Sequence, residues 1–122
     1  MPWSRLRGVG IDLVSVGRMR RFLKRHPQDA FQRILSTRER KNLRSQRLSA
    51  IGFSKIFAAK EAFFKALNRP WLGLEGFASM SVRFLDPNRF QIRARAFRGL
   101  SEGCFFGDRK WVGAQVILWK AR

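Results

Sequence analysis

The chain has 122 residues, 45% of them hydrophobic, enough to bury the core of one domain but not of two. Its 26 basic and 8 acidic residues give a net charge of +18 at pH 7. We therefore predict a single domain over residues 1–122. The charge fits a polyanionic partner, which could be nucleic acid, a phosphorylated small molecule or an acidic protein, and it fits equally a solvated basic surface without such a partner. No apolar run is long enough to span a membrane, and no signal-peptide pattern opens the chain. The lone Cys104 excludes an internal disulfide and indicates a reducing, cytoplasmic location.

The first third of the chain predicts a strand followed by basic helices. The strand alternates two sets of residues: Val9, Ile11 and Leu13 on one side, and Gly8, Gly10 and Asp12 on the other. Ser15 is placed to cap a helix that Pro27 stops, and a short helix follows at about Asp29 to Ile34. Eleven basic residues and two acidic residues lie between Arg18 and Arg47, so this segment supplies half of the net charge.

Two further helices are predicted, and the second contains the most informative pattern in the chain. Ser36 and Glu39 have the spacing of a capping box, so that a helix begins there, and a plain helix start is their favoured role. The next helix runs from about Ser49 to Leu67 with an apolar stripe of Phe53, Ile56, Phe57, Phe63, Phe64 and Leu67. Lys60 falls within this stripe, where a charge is costly without a partner. Glu61 and Lys65 lie on the edge of the stripe, one turn apart.

The second half of the chain changes to a period of two residues, which predicts strands. Segments around Met80–Phe84 and Phe90–Ala96 flank the turn Asp86–Asn88 and are typical of a hairpin with one basic face. A last strand is predicted from about Trp111 to Trp119, apolar on both faces. The order of elements indicates an α+β domain.

Two blocks of sequence resemble the holo-acyl-carrier-protein synthases, small members of the 4′-phosphopantetheinyl transferase superfamily. The first block is Gly10-Ile11-Asp12, followed six residues after the aspartate by Arg18. The second is Phe57-Ala58-Ala59-Lys60-Glu61-Ala62, followed by Lys65-Ala66. The resemblance implies that family's fold, in which a small antiparallel sheet packs against a long central helix and shorter helices.

The resemblance also implies a reaction and its residues. Such enzymes transfer the 4′-phosphopantetheine group from coenzyme A to a serine of an apo acyl carrier protein, releasing 3′,5′-ADP, as fatty acid biosynthesis requires. Asp12 and Glu61 would hold Mg²⁺, Glu61 would help to take the serine proton, and Lys65 would stabilise the leaving phosphate. Lys60 would contact the phosphates of coenzyme A or pair with a carboxylate.

Partner contacts follow from the same resemblance. Arg18 matches the position at which relatives dock the acidic carrier protein, and Arg21 and Arg25 share its helix face by geometry alone. Relatives have Gly-Thr-Gly after the long helix, whereas this chain has Asn68-Arg69-Pro70, and Arg69 is a candidate to bind a coenzyme A phosphate. Family members of this size are usually homotrimers with the active site between neighbouring subunits, so the resemblance implies a homotrimer.

Other interpretations remain open at the level of sequence. Taken alone, Asp12 fits an ordinary aspartate at the end of a strand. Glu61 and Lys65 alone fit a surface ion pair that stabilises the helix by ~0.3–0.5 kcal/mol. Trp111 and Trp119 fit a subunit contact or the core equally well. The competing functions are a family member that binds carrier protein or coenzyme A without turnover, and a basic nucleic-acid-binding protein. The second is disfavoured because no motif that reads DNA or RNA is present.

Overall fold

The computed structural model describes residues 5–43, 48–68, 75–95 and 97–121, which form an α+β domain. Its strands are β1 (Leu6–Ser15), β2 (Ser81–Asp86), β3 (Arg89–Arg93), β4 (Leu100–Gly107) and β5 (Trp111–Trp119). They pair antiparallel in the order β1-β5-β4-β3-β2, so the first and last described strands are neighbours in the sheet. The predicted α+β class is confirmed.

All the described helices lie between β1 and β2 in the chain. They are α1 (Val16–Arg25), α2 (Pro27–Asp29), α3 (Thr37–Leu43), α4 (Ala50–Leu67) and α5 (Glu75–Ala78), with a π-helical turn at Ala30–Ile34 between α2 and α3. Helix α4 packs against β1 and β5 and provides the largest part of the core. Among the described helices, none has the length and apolar character needed to cross a bilayer.

The predicted helix starts are confirmed by hydrogen bonds. The Ser15 hydroxyl accepts from the Arg18 backbone N–H at the start of α1, and the Ser49 hydroxyl accepts from the Gly52 N–H at the start of α4. Helix α4 ends at Leu67, and Asn68 follows in the left-handed conformation at φ 52°. These are local interactions between residues three apart, and for that reason the sequence pattern reveals them.

The apolar side of β1 faces outward, and its glycine side faces α4. Val9, Ile11 and Leu13 are each about half exposed, at 49%, 53% and 55%. A Cβ atom built on Gly10 would lie 1.9 Å from the carbonyl oxygen of Ala62, and one on Gly8 at the same distance from that of Ala66. The strand can therefore approach α4 only through residues that have no side chain. This leaves a strip of apolar residues uncovered on the outer face of the sheet.

Strand β4 and the short helix α5 are elements that the sequence patterns did not predict. For β4 the reason is visible in its residues. Its buried residues include the polar Ser101 as well as Phe105, and Gly103 lies between them. The sequence of β4 therefore does not alternate between apolar and polar residues in the way that predicts a strand. The Ser101 hydroxyl is satisfied by the Ile92 backbone, accepting from its N–H at 2.8 Å and donating to its carbonyl at 3.1 Å. The hairpin of β2 and β3 is confirmed. Strand β3 ends at Arg93, and Ala96, the predicted end, lies outside the described residues.

Candidate active site

The close packing of β1 on α4 brings together residues that are about fifty positions apart in the chain. Asp12 follows Gly10 by two residues on the same side of β1 and so points toward α4. The Lys65 Nζ atom lies 2.8 Å from Asp12 Oδ1 and 3.3 Å from the Ile11 carbonyl oxygen. The Asp12 side chain is 14% exposed and that of Lys65 is 55% exposed. The ion pair therefore lies at the protein surface, with its carboxylate partly covered.

Glu61 lies one turn before Lys65 on α4 and next to Asp12. Burial raises the pKa of the Glu61 carboxyl above its usual value of 4.5, the negative charge of Asp12 raises it further, and Lys65 opposes both effects. Within the described part of the chain, Lys65 pairs with Asp12, while Glu61 forms no hydrogen bond or ion pair. A half-buried carboxylate beside another carboxylate favours a bound proton or cation.

Asp12 and Glu61 line one cavity of about 580 Å³. Arg18 and Arg21 of α1 line it too, because the cap at Ser15 turns the chain directly from β1 into this helix. Arg25 is exposed one turn further along α1 and does not line the cavity. The structure thus combines two carboxylates and two guanidinium groups around one opening.

Two aromatic residues complete the wall of this cavity. Trp111, half exposed at the start of β5, and Phe57 of α4 both line it. From the sequence, Trp111 was predicted to lie in a subunit contact or in the core, and Phe57 was predicted to belong to the apolar stripe that faces the core. Trp111 reaches the cavity because it pairs with Ser15 at the end of β1. Only the strand register carries that information.

The assignment of Lys60 to coenzyme A binding is corrected by the structure. Its side chain is fully buried, and Nζ donates three hydrogen bonds, to Glu39 Oε1 at 2.7 Å and to the carbonyl oxygens of Ile34 and Phe77 at 2.6 and 2.8 Å. An ammonium group has three donors, so none remains for a phosphate. Burial lowers the pKa of Lys60 from 10.5, and the carboxylate of Glu39 acts in the opposite direction. The alternative that Lys60 pairs with a carboxylate is the one that holds.

Glu39 joins four segments of the domain through its single carboxylate. Besides Lys60, its Oε1 accepts from the Ser36 N–H at 2.8 Å, as the capping box predicts, and its Oε2 accepts from the Val82 N–H at 2.7 Å. It thereby connects α3 to α4 and β2, and through Lys60 to α5. The sequence offered one signal for this role: a lysine in an apolar stripe requires a buried acid, and few acids are available.

Glu39→Gln is expected to destabilise the protein by about 3–5 kcal/mol, because it leaves the Lys60 charge buried without its counter-ion. The free energy of unfolding in urea measures this loss. Glu102→Gln is the matched control, since Glu102 is exposed and Gln retains an acceptor for Trp119 Nε1. The double variant Glu39→Gln/Lys60→Met should be more stable than Glu39→Gln alone. Equal losses in Glu39→Gln and Glu102→Gln would contradict the buried-pair explanation.

The remaining candidate, Arg69, lies outside the described residues. Ile56, in the apolar stripe of α4, is buried in the core at 5% exposure. Cys104 is exposed on β4 opposite Gln115.

Comparison with solved structures places the domain in a known fold class. The holo-(acyl-carrier-protein) synthase from Bacillus anthracis, solved in complex with CoA (3′,5′-ADP), matches with a TM-score of 0.79 at 24% identity and covers 96% of this chain and 99% of that chain. The holo-[acyl-carrier-protein] synthase from Neisseria meningitidis matches with a TM-score of 0.79 at 23% identity, covering 94% of this chain and 99% of that chain. The α+β fold is therefore that of the holo-acyl-carrier-protein synthases.

Sequence comparison then identifies the family. The model of the 4′-phosphopantetheinyl transferase superfamily matches residues 8–115, and the chain belongs to that superfamily. A holo-[acyl-carrier-protein] synthase from Azoarcus sp. (strain BH72) is 45% identical over 62 residues, which is 51% of this chain and 50% of the relative. The match thus spans half the length of this curated relative. The predicted resemblance is confirmed.

Proposed function

We propose that this protein transfers the 4′-phosphopantetheine group from coenzyme A to a serine of an apo acyl carrier protein, in a Mg²⁺-dependent reaction that releases 3′,5′-ADP. The observation that carries the proposal is that Asp12 and Glu61 line one cavity with Arg18 and Arg21 of α1, while Lys65 forms an ion pair with Asp12. Two carboxylates and an ammonium group suit chemistry on a diphosphate, where negative charge must be neutralised at fixed positions. Membership of the superfamily supports the same reaction.

The residues present fit a magnesium ion. Within the described residues no group of three or more His, Cys, Asp and Glu side chains is suitably placed for a metal. Mg²⁺ is nevertheless commonly held by one or two carboxylates plus waters and substrate phosphates, which is what Asp12 and Glu61 offer. The raised pKa of Glu61 supports this assignment, since a cation would relieve both its burial and its repulsion by Asp12. The ion would neutralise charge on the diphosphate of coenzyme A.

The protein's own groups would divide the proton and charge transfers between them. The serine oxygen of the carrier forms a bond to the phosphorus of the phosphopantetheine group, and the bond from that phosphorus to the bridging oxygen of 3′,5′-ADP breaks. Glu61, directly or through a water, accepts the serine proton. Lys65, half exposed and paired with the cavity residue Asp12, would stabilise the phosphate of the departing 3′,5′-ADP with its ammonium group.

The decisive experiment is incubation of the protein with coenzyme A, Mg²⁺ and an apo acyl carrier protein, followed by mass spectrometry of the carrier. The expected result is a gain equal to one phosphopantetheine group, with release of 3′,5′-ADP. Binding of coenzyme A without any gain on a panel of carriers would instead support the alternative of a family member that binds without turnover.

Arginines of α1 are proposed to dock the acidic carrier protein. Arg18 and Arg21 line the cavity, and Arg25 extends the same basic face. The double variant Arg18→Ala/Arg21→Ala should raise KM for the carrier about tenfold and leave KM for coenzyme A nearly unchanged, because surface charges mainly control encounter with a charged partner. Initial rates at varied carrier concentration measure this. Lys24→Ala is the control on α1. An equal rise in KM for the carrier in this variant would show that the carrier is attracted by the overall positive charge and not by Arg18 and Arg21 in particular.

The exposed apolar side of β1 supports a homotrimer. Val9 and Ile11 are about half exposed there, and large apolar patches on a sheet usually mark a protein interface. Sedimentation velocity should show a trimer for the natural protein and a monomer for Val9→Glu/Ile11→Glu, with Lys24→Glu as a charge-changing control. A monomeric natural protein at micromolar concentration would contradict this assembly.

A further inference from the structure

A second concavity lies apart from the candidate active site. It has a volume of about 760 Å³ and lies between the start of α3, the start of β2 and the end of β3. No residue lines both this groove and the cavity of Asp12 and Glu61. Its size is within the range of sites that bind small molecules. The proposed transferase chemistry makes no use of it.

Three arginines converge on the groove without acidic partners. Arg38 of α3, Arg93 at the end of β3 and Arg95 just beyond it line the groove and are exposed. None of the three forms a hydrogen bond or ion pair within the described residues, in contrast to Arg89, which lies 2.6 Å from Asp86. No acidic residue is among those that line the groove. Guanidinium groups with free donors on a concave surface favour a phosphate ligand.

The groove also offers an apolar surface and hydroxyl acceptors. Ile92 and Phe97 line it together with Ser79 and Ser81. The two hydroxyl protons are already committed, from Ser79 to the Gly76 carbonyl and from Ser81 to the Ser36 hydroxyl. Each serine oxygen can therefore act toward a ligand only as an acceptor, and it would suit an N–H donor.

From this combination we infer that the groove binds a nucleotide. The arginines contact its phosphates, the apolar residues contact its base, and the serine oxygens accept hydrogen bonds from its amino groups. This inference does not rest on the transferase reaction, since Asp12, Glu61 and Lys65 are not among the residues that line the groove.

The test is calorimetric titration of the metal-free protein, kept in EDTA, with ADP. We expect saturable binding, much weaker binding of adenosine, and a rise in Kd of about tenfold or more in Arg93→Ala/Arg95→Ala, the loss expected for two charge-assisted contacts. Arg20→Ala/Arg83→Ala is the matched control, since it removes the same charge from exposed residues outside the groove. Amide shifts at Ser79, Ser81 and Ile92 in NMR spectra should report the bound ligand.

The outcomes separate this site from the proposed active site. Glu61→Gln and Lys65→Ala should leave ADP binding in EDTA unchanged, and loss of binding in either variant would assign the nucleotide to the other cavity and overturn the inference. Equal weakening in the Arg20/Arg83 control would also overturn it. So would preferential binding of a thymidine oligonucleotide with an affinity that rises with its length, which would indicate a nucleic-acid surface.

Discussion

If the proposed reaction is correct, Glu61→Gln is expected to lower the rate of carrier modification by about 10³-fold, because it removes one of the two carboxylates at the cavity together with the proposed acceptor of the serine proton. Gln has nearly the same shape and size, so the fold should be retained. Rates of phosphopantetheine transfer, measured by mass spectrometry of the carrier, provide the readout. Glu102→Gln makes the same chemical change on exposed β4 and should leave the rate unchanged.

Glu61→Gln should also make the metal-free protein more stable at neutral pH. The pKa of Glu61 is higher in the folded state than in the unfolded state, where it is about 4.5. At pH values below 4.5 the protonated carboxyl therefore favours folding, and this stabilisation is lost as the pH rises through the folded-state pKa. The melting temperature in EDTA should therefore be higher for Glu61→Gln than for the natural protein at about pH 8, and the difference should vanish near pH 4.

Magnesium should reverse this order of stability. Added Mg²⁺ should raise the melting temperature of the natural protein at about pH 8 and leave that of Glu61→Gln nearly unchanged, because a ligand stabilises only the state that binds it. Equal shifts in both proteins would show that Glu61 does not hold the ion. Loss of activity without this change in Mg²⁺ response would confine Glu61 to the proton transfer.

Gly10→Ala is expected to destabilise the protein by about 3 kcal/mol or more, at the severe end of overpacking, because the new methyl group would meet backbone atoms that cannot rotate away. Its Cβ would lie 1.9 Å from the Ala62 oxygen and 2.6 Å from the Ala66 nitrogen. Relief of this clash requires β1 to move from α4, which would also separate Asp12 from Lys65. Urea denaturation measures the stability, and the rate of the proposed phosphopantetheine transfer reports the geometry of Asp12 and Lys65.

Gly17→Ala provides the matched control for this variant. A Cβ on Gly17 would lie 3.7 Å from an Arg21 nitrogen, an ordinary contact, and the position is in the first turn of α1. Alanine should therefore stabilise the protein slightly, by about 0.5 kcal/mol, through its helix propensity. A Gly10→Ala protein as stable as the Gly17→Ala protein would show that the spacing between β1 and α4 is not restricted by contact.

Features that depend on neighbouring residues were visible in the sequence. The caps at Ser15, Ser36 and Ser49 and the hairpin turn at Asp86 arise from hydrogen bonds over two or three residues. Strand β4 was not visible, since it is held by its neighbours in the sheet and has no strong pattern of its own. Strand formation of this kind depends on tertiary pairing more than on local preference.

The amino-acid sequence by itself determined the family, the α+β class and the two blocks that contain Asp12, Glu61 and Lys65, because these are properties of residue type and spacing. Only the tertiary structure decided which charged groups meet. In the folded protein Lys65 forms an ion pair with Asp12, Lys60 forms one with Glu39 in the core, and Glu61 lines the cavity. The physical reason is that a charge finds its lowest free energy with whichever partner the packed backbone brings within reach, and the approach of β1 to α4 at Gly10 is set by contacts between segments about fifty residues apart.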